Sequence, residues 1–242
     1  MDADGSRVRL TTIGEALGLT ALGTVIGTLT IIALRLSFGA AGLTDVRVVE
    51  IFLSRGIQLG FLITSVAYLY RTAGFSRYVQ IRKPSLHDAA WVVGSIVLLA
   101  GIGAATSSLL DVLGIAVENE AGGGHESPYA STPVLWPVIF VVWFLFAAPS
   151  EELLFRGIIQ GRIREAFDPG KTVVLSGVMF GLMHVPVAAL STGLEPVSSF
   201  VETFVGGMVF ALAYERTGNL VVPSATHALL WSQTIVFAIL GA

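Results

Sequence analysis

Residues 89–113 read AAWVVGSIVLLAGIGAATSSLLDVL, and Asp111 near the end is the sole charge among them. A helix needs about 20 mostly apolar residues to cross the hydrocarbon of a bilayer, and this stretch exceeds that. Six more stretches of the same kind lie on either side of it. They run over Ile13–Phe38, Ile51–Tyr70, Pro133–Ala148, Thr172–Leu190, Val197–Tyr214 and Leu220–Leu240. The helix that starts at Pro133 is expected to continue past Glu151, and an eighth short or re-entrant helix fits within the loops. The whole chain agrees: it is 54% hydrophobic and 13% charged, with a mean hydropathy of +0.79. An ordinary soluble domain carries roughly 25% charged residues, so few charges could not cover a soluble surface here. The expected fold is therefore an all-α integral membrane bundle of about seven to eight transmembrane helices, one domain over 1–242.

Charge and cysteine content exclude several function classes. A net charge of −3 and the lack of a basic patch give nucleic acid no footing, so the expected partners are membrane lipids and a peptide or protein substrate. Zero cysteines remove disulfides, cysteine–zinc sites and thiol nucleophiles together. The first apolar stretch is too long for the core of a cleaved signal peptide. No internal repeat is visible, which argues against a transporter built from inverted repeats.

Short cytoplasmic loops carry excess Lys and Arg. Arg7 and Arg9 precede the first span; Arg71, Arg77, Arg82 and Lys83 follow the second. Arg156, Arg162, Arg164 and Lys171 follow the fourth, and Arg216 follows the sixth. The loop Glu118–Thr132, with Glu118, Glu120, Glu126 and the glycine-rich Ala121–Gly124, has no Lys or Arg, nor does Ser191–Pro196. The expected topology has a cytoplasmic N-terminus in the plasma membrane, with Arg35, Arg47 and Arg55 near the first external turn. Gly23, Gly27, Gly206 and Gly207 are expected at close helix contacts, where small residues let backbones approach.

Ionisable groups inside a bilayer are costly, so each is a functional candidate. In Ala148-Pro-Ser-Glu-Glu-Leu-Leu-Phe-Arg156, adjacent Glu151 and Glu152 point about 100° apart on a helix. Glu152 lies four residues before Arg156 and is expected to pair with it, leaving Glu151 to face an interior cavity. His184 follows Phe180-Gly-Leu-Met, with Phe180 one turn away on the same face, and lies roughly 20 Å along a helix from Lys171. His227 lies in Pro223-Ser-Ala-Thr-His-Ala-Leu-Leu-Trp231, roughly 13 Å from Gly218. Counted inward from the basic loops, all three motifs are expected between the cytoplasmic edge and the bilayer middle. A carboxylate and two imidazoles are the kit for hydrolysis by activated water. No nucleophile-elbow serine and no His-Glu-x-x-His pattern is present. Glu202 is expected as an interfacial or paired carboxylate, His87 and His125 as solvated, and Trp91, Trp136 and Trp143 as interface anchors or packing.

Three motifs in this order, Glu-Glu-x-x-x-Arg (Glu151, Glu152, Arg156), Phe-x-x-x-His (Phe180, His184) and a final histidine (His227), resemble the CPBP family of intramembrane proteases. That family includes the type II CAAX prenyl endopeptidases. The stretches Phe155-Arg156-Gly157 and Glu215-Arg-Thr-Gly-Asn-Leu220 are similar to it too. The resemblance implies a helical core over about 133–240 with a cavity open to the cytoplasm. It implies an endopeptidase cutting membrane-associated peptides, prenylated CAAX-type C-termini among them; other members act in self-immunity, and the alternative is a catalytically silent member acting as a membrane binding, scaffold or immunity protein. It implies catalytic residues Glu151, Glu152, Arg156, His184 and His227, with Glu151 and His184 activating water and His227 holding the oxyanion. Whether a divalent metal such as zinc takes part stays open; its ligands would be Glu151, His184 and His227. The family's Asn or Asp four residues after the last histidine is Trp231 here, whose indole donates one hydrogen bond and accepts none. Ser232 and Gln233 are expected to point off the His227 face.

Overall fold

The computed structural model describes residues 3–115, 132–189 and 195–240, and all regular elements among them are helical. The order is α1 (Ala3–Ala40), α2 (Arg47–Leu53), α3 (Gly56–Thr72), α4 (Phe75–Tyr78) and α5 (Leu86–Val112). Then come α6 (Pro133–Arg164), α7 (Pro169–Ala188), α8 (Glu195–Thr217) and α9 (Val221–Leu240). Glu118, Glu120, Ala121–Gly124, His125 and Glu126 lie outside the described residues, as does part of Ser191–Pro196.

Four helices (α1, α5, α6 and α8) are long and apolar enough to cross a membrane, and α2 with α3, bent by 46°, makes a fifth if they form one broken span. The seven to eight spans expected from the sequence therefore reduce to four or five by length and composition. The expected spans over Thr172–Leu190 and Leu220–Leu240 are present as α7 and α9 but are not among them. In α9 the physical reason is visible: Ser224, Thr226, His227 and Ser232 dilute its apolar character, and all four are buried. They face protein rather than lipid. The chain is an integral membrane protein whose interior is partly polar.

Helix α6 is continuous for 32 residues but not regular. Two stretches, Trp143–Ala147 and Leu153–Gln160, are π-helical and flank Glu151 and Glu152. Pro149 has no N–H to donate, and its ring crowds the carbonyl four residues earlier. The wider turn over Trp143–Ala147, just ahead of it, accommodates both faults without ending the helix.

Glycines set the closest contacts. A Cβ on Gly60 would stand 2.3 Å from the Gly27 Cα, so antiparallel α1 and α3 meet there backbone to backbone. A Cβ on Gly23 would meet Leu154 at 2.7 Å, and one on Gly207 would meet Phe180 at 3.0 Å. Gly206 differs from the expectation: its nearest neighbour, Leu99 at 3.7 Å, is at ordinary contact distance.

The bundle has two chemically different ends. At one, Arg162 contacts Glu15 and Glu165, Arg77 reaches Glu165 at 2.6 Å, and the Tyr78 hydroxyl donates to Glu165 at 2.7 Å. Burial, and then the bond to Glu165, push the Tyr78 phenol up to about 12. Gly218, at φ +58°, closes α8 in the left-handed conformation that glycine adopts without strain. Next to it, buried Asn219 clasps the Arg82 backbone at N–H and C=O, 3.3 and 3.1 Å away. Ten of the 14 Lys and Arg belong to this end: Arg7, Arg9, Arg71, Arg77, Arg82, Lys83, Arg162, Arg164, Lys171 and Arg216. The opposite end holds the α2–α3 break and the start of α6, joined through Ile51, Leu135 and Ile139.

Candidate active site

Glu151 and Glu152 project from the short α-helical segment of α6 between its two π stretches, and their neighbours separate their tasks. Glu152 is fully buried, as is Arg156 one turn on. Arg156 Nη1 donates to Glu152 Oε1 at 3.3 Å, and its Nε lies 3.2 Å from Oε2. The other end of the guanidinium donates to the Gly207 carbonyl at 3.0 Å and lies over Phe180, 4.4 Å from the ring centre. Such a charge pair inside a membrane needs this degree of mutual satisfaction to be tolerated.

Glu152 has a second partner. His227 Nδ1 lies 2.7 Å from Glu152 Oε1. The carboxylate accepts, so Nδ1 carries a proton and Nε2 points the other way. That Nε2 stands 3.8 Å from Glu151 Oε2. Phe210 stacks on the imidazole at 4.7 Å, and Trp231 packs against it at 4.1 Å. Arg156, Glu152 and His227 thus form one chain of contacts, with the ring held in place at both faces.

Glu151 lies at the surface of a cavity of about 360 Å³. Its Oε1 accepts from Gln58 Nε2 at 2.7 Å, and its buried Oε2 has no hydrogen-bond partner. The gap of 3.8 Å between Oε2 and His227 Nε2 is too long for a direct bond and suits a bridging water. His184 lines the same cavity from α7. Its Nδ1 donates to the Phe180 carbonyl at 2.9 Å, which leaves its Nε2 as the free nitrogen. Phe180 is 4.9 Å from His184, 5.9 Å from His227 and 4.4 Å from the Arg156 guanidinium carbon, so one ring borders both imidazoles and the buried cation.

The fold therefore joins Glu151, Glu152, Arg156 and His227 by direct contacts, while His184 shares their cavity without a contact to Glu151 or His227 among the described residues. The depth count from Lys171 also needs correction. His184 sits four residues before Ala188, the last of α7, so it lies in the half of that helix away from the basic end. No three His, Asp or Glu side chains converge as a metal-binding group among the described residues. Glu151, His184 and His227 as arranged do not fit a shared metal.

Two cavity residues escaped the sequence reading. Gln58, in Gly-Ile-Gln-Leu-Gly, is an expensive polar residue within an apolar stretch, but only ionisable groups drew attention. Arg55 was read as an external-turn charge, yet it lines the cavity, with Trp231 and Trp143 4.2 and 5.1 Å from its guanidinium carbon. Trp143 is buried packing for this arginine, not an interface anchor. Glu202 is buried in the cavity wall and accepts from Ser107 at 3.2 Å. Ser232 bonds back to the Ala228 carbonyl, and His87 accepts from Trp91 on the exposed start of α5.

No curated protein and no solved structure matches the chain. One family model does, that described as type II CAAX prenyl endopeptidase Rce1-like, over residues 133–231. The matched stretch, about two fifths of the chain, holds Glu151, Glu152, Arg156, His184 and His227 and ends on Trp231, so over this part the chain is similar to the Rce1-like type II CAAX prenyl endopeptidases.

Proposed function

We propose that the protein is an intramembrane endopeptidase that hydrolyses a peptide bond with water activated by Glu151. The observation that carries this reading is the unpartnered Glu151 Oε2 facing His227 Nε2 across 3.8 Å at the cavity. Glu151 takes one proton from a water held in that gap, and the water oxygen adds to the scissile carbonyl carbon. The proton then passes from Glu151 to the leaving amine as the C–N bond breaks. This geometry favours His227, rather than His184, as the partner of Glu151 in holding water. The buried Glu152 steadies His227 in its tautomer, as a carboxylate does behind a catalytic histidine. His184 points its Nε2 into the cavity and, in the doubly protonated form, donates from it to the oxyanion. The substrate class is a peptide or a prenylated protein, as for the matching family.

The test is cleavage of fluorogenic prenylated CAAX-type and unprenylated peptides by purified protein in detergent, with and without a chelator. Glu151→Gln and His227→Ala are expected to lower kcat/KM roughly 100- to 10,000-fold. Unchanged cleavage by Glu151→Gln would sink this mechanism. A second reading, a silent relative that binds a membrane partner, is favoured by Trp231 at the family's Asn or Asp position. It predicts an inert wild type and activity gained by Trp231→Asn.

Orientation follows from two observations taken together. The cavity is lined by exposed Ser54 and half-buried Arg55, at the end opposite the basic loops, and we take its mouth to be there. Cytoplasmic basic loops and a cytoplasmic cavity mouth therefore cannot both hold. Weighting the ten clustered cations most heavily, we place the mouth on the non-cytoplasmic face. Because the chain has no cysteine, Ser54→Cys and Ser76→Cys report one site each. An impermeant maleimide should label the first and spare the second in intact cells; the reverse pattern would overturn the assignment.

A further inference from the structure

Arg55 is a cation the proposed hydrolysis does not use. It occupies the break between α2 and α3, packed against both the Trp143 and Trp231 rings, whose centres are 6.3 Å apart. Its Nε is shut off from solvent and has no hydrogen-bond partner. Among the described residues no carboxylate lies within ion-pair distance of it, whereas Arg156, the other arginine in this interior, is paired with Glu152. Leaving a partly desolvated guanidinium unpaired is costly. Stacking on aromatic faces offsets part of that cost and fixes the direction of the fork. A planar fork of donors held in one direction beside a hydrolytic cavity matches a carboxylate.

We infer that Arg55 is a specificity residue that binds a carboxylate of the peptide substrate, foremost its C-terminal carboxylate. This rests on the peptidase reading above and deepens it. The guanidinium carbon is 4.2 Å from the Trp231 ring centre, which is 4.1 Å from that of His227. The charge thus lies within about 8 Å of the imidazole, a reach that two or three extended residues cover at roughly 3.3 Å each. A peptide whose chain ends that far beyond the scissile bond would place its terminal carboxylate on Arg55. Trp231 then acquires a task of its own: it aligns Arg55, and Asn or Asp there would leave the arginine without that platform.

The experiment compares four otherwise identical apolar peptides. One ends in a free carboxylate two residues past the cleavage site, and one is its C-terminal amide. The third is an amide with Asp at the last position, and the fourth is a free acid extended by six residues. Wild type should prefer the short acid over the amide at least tenfold in KM, with kcat little changed. Arg55→Gln should bring that ratio close to one, and Arg55→Lys should restore part of it. Preference for the Asp-containing amide equal to that for the short acid would keep the carboxylate site and assign it to a side chain. Equal KM for acid and amide in wild type overturns the proposal, as does an Arg55→Gln variant that keeps the full ratio. If no peptide is cleaved, the same acid and amide are titrated against the Trp143 and Trp231 fluorescence. Acid-selective quenching supports carboxylate binding even though the peptidase reading has failed, and equal response to both overturns it.

Discussion

Helices α5 and α8 pack against each other, yet they meet opposite surroundings. The most apolar window of α5 has a mean hydropathy of 1.9 and is 11% buried within the protein; that of α8 has 1.5 and is 56% buried. In water the more apolar helix would be the inner one. In a bilayer, lipid tails receive Leu and Val as readily as another helix does, so the more apolar helix faces lipid. The polar one turns inward, where Glu202, Thr203 and the Gly207 carbonyl border the cavity or bind Arg156. Polar groups collect in the interior of this protein, beside its apolar core.

The largest effect that would sharpen this contrast is expected at Arg156. Arg156→Ala strips the partner from fully buried Glu152 and should cost about 3–5 kcal/mol. The lipid-facing Val93→Ala on α5 should stay within about 0.5 kcal/mol. Reversible denaturation in detergent reads both, and equal losses would erase the distinction between the two surroundings. A smaller contrast lies among the glycines. Gly60→Ala forces backbone of α1 away from α3 and should cost about 1–3 kcal/mol. Gly206→Ala meets only ordinary contact and should be neutral within about 0.5 kcal/mol. A Gly60→Ala protein as stable as wild type would show that α1 does not hold its place against α3.

The residues of the site were legible in the sequence because they break an apolar background. Glu151, Glu152, His184 and His227 stand out on the cost of ionisable groups in lipid, and the three motifs in order, with Arg156, add a family resemblance. The Glu152–Arg156 pair followed from helical spacing. What spacing could not supply was the third member of that contact, since His227 lies on another helix. Spacing also gave no sign that Glu152 serves His227 as well as Arg156, nor that His227 rather than His184 stands opposite Glu151. Gln58 and Arg55 were hidden for different reasons. The first is neutral, and the second sits at a helix break that resembles a loop when seen only as sequence.

The count of spans shows the same division. Composition determined that the chain is helical and membrane-embedded, because its few charges exclude a water-facing surface. It points to seven or eight spans where four or five helices among the described residues are long and apolar enough to cross a membrane, and an apolar run does not say whether its helix faces lipid or protein. Composition and loop charge also placed the cations at one end of the bundle, which needs only their order along the chain. Which residues share the cavity was decided by tertiary structure, where α3, α6, α7, α8 and α9 bring distant polar groups to one space. Side-chain direction around a helix and the depth at which helices cross depend on packing between segments, and no single segment carries that information.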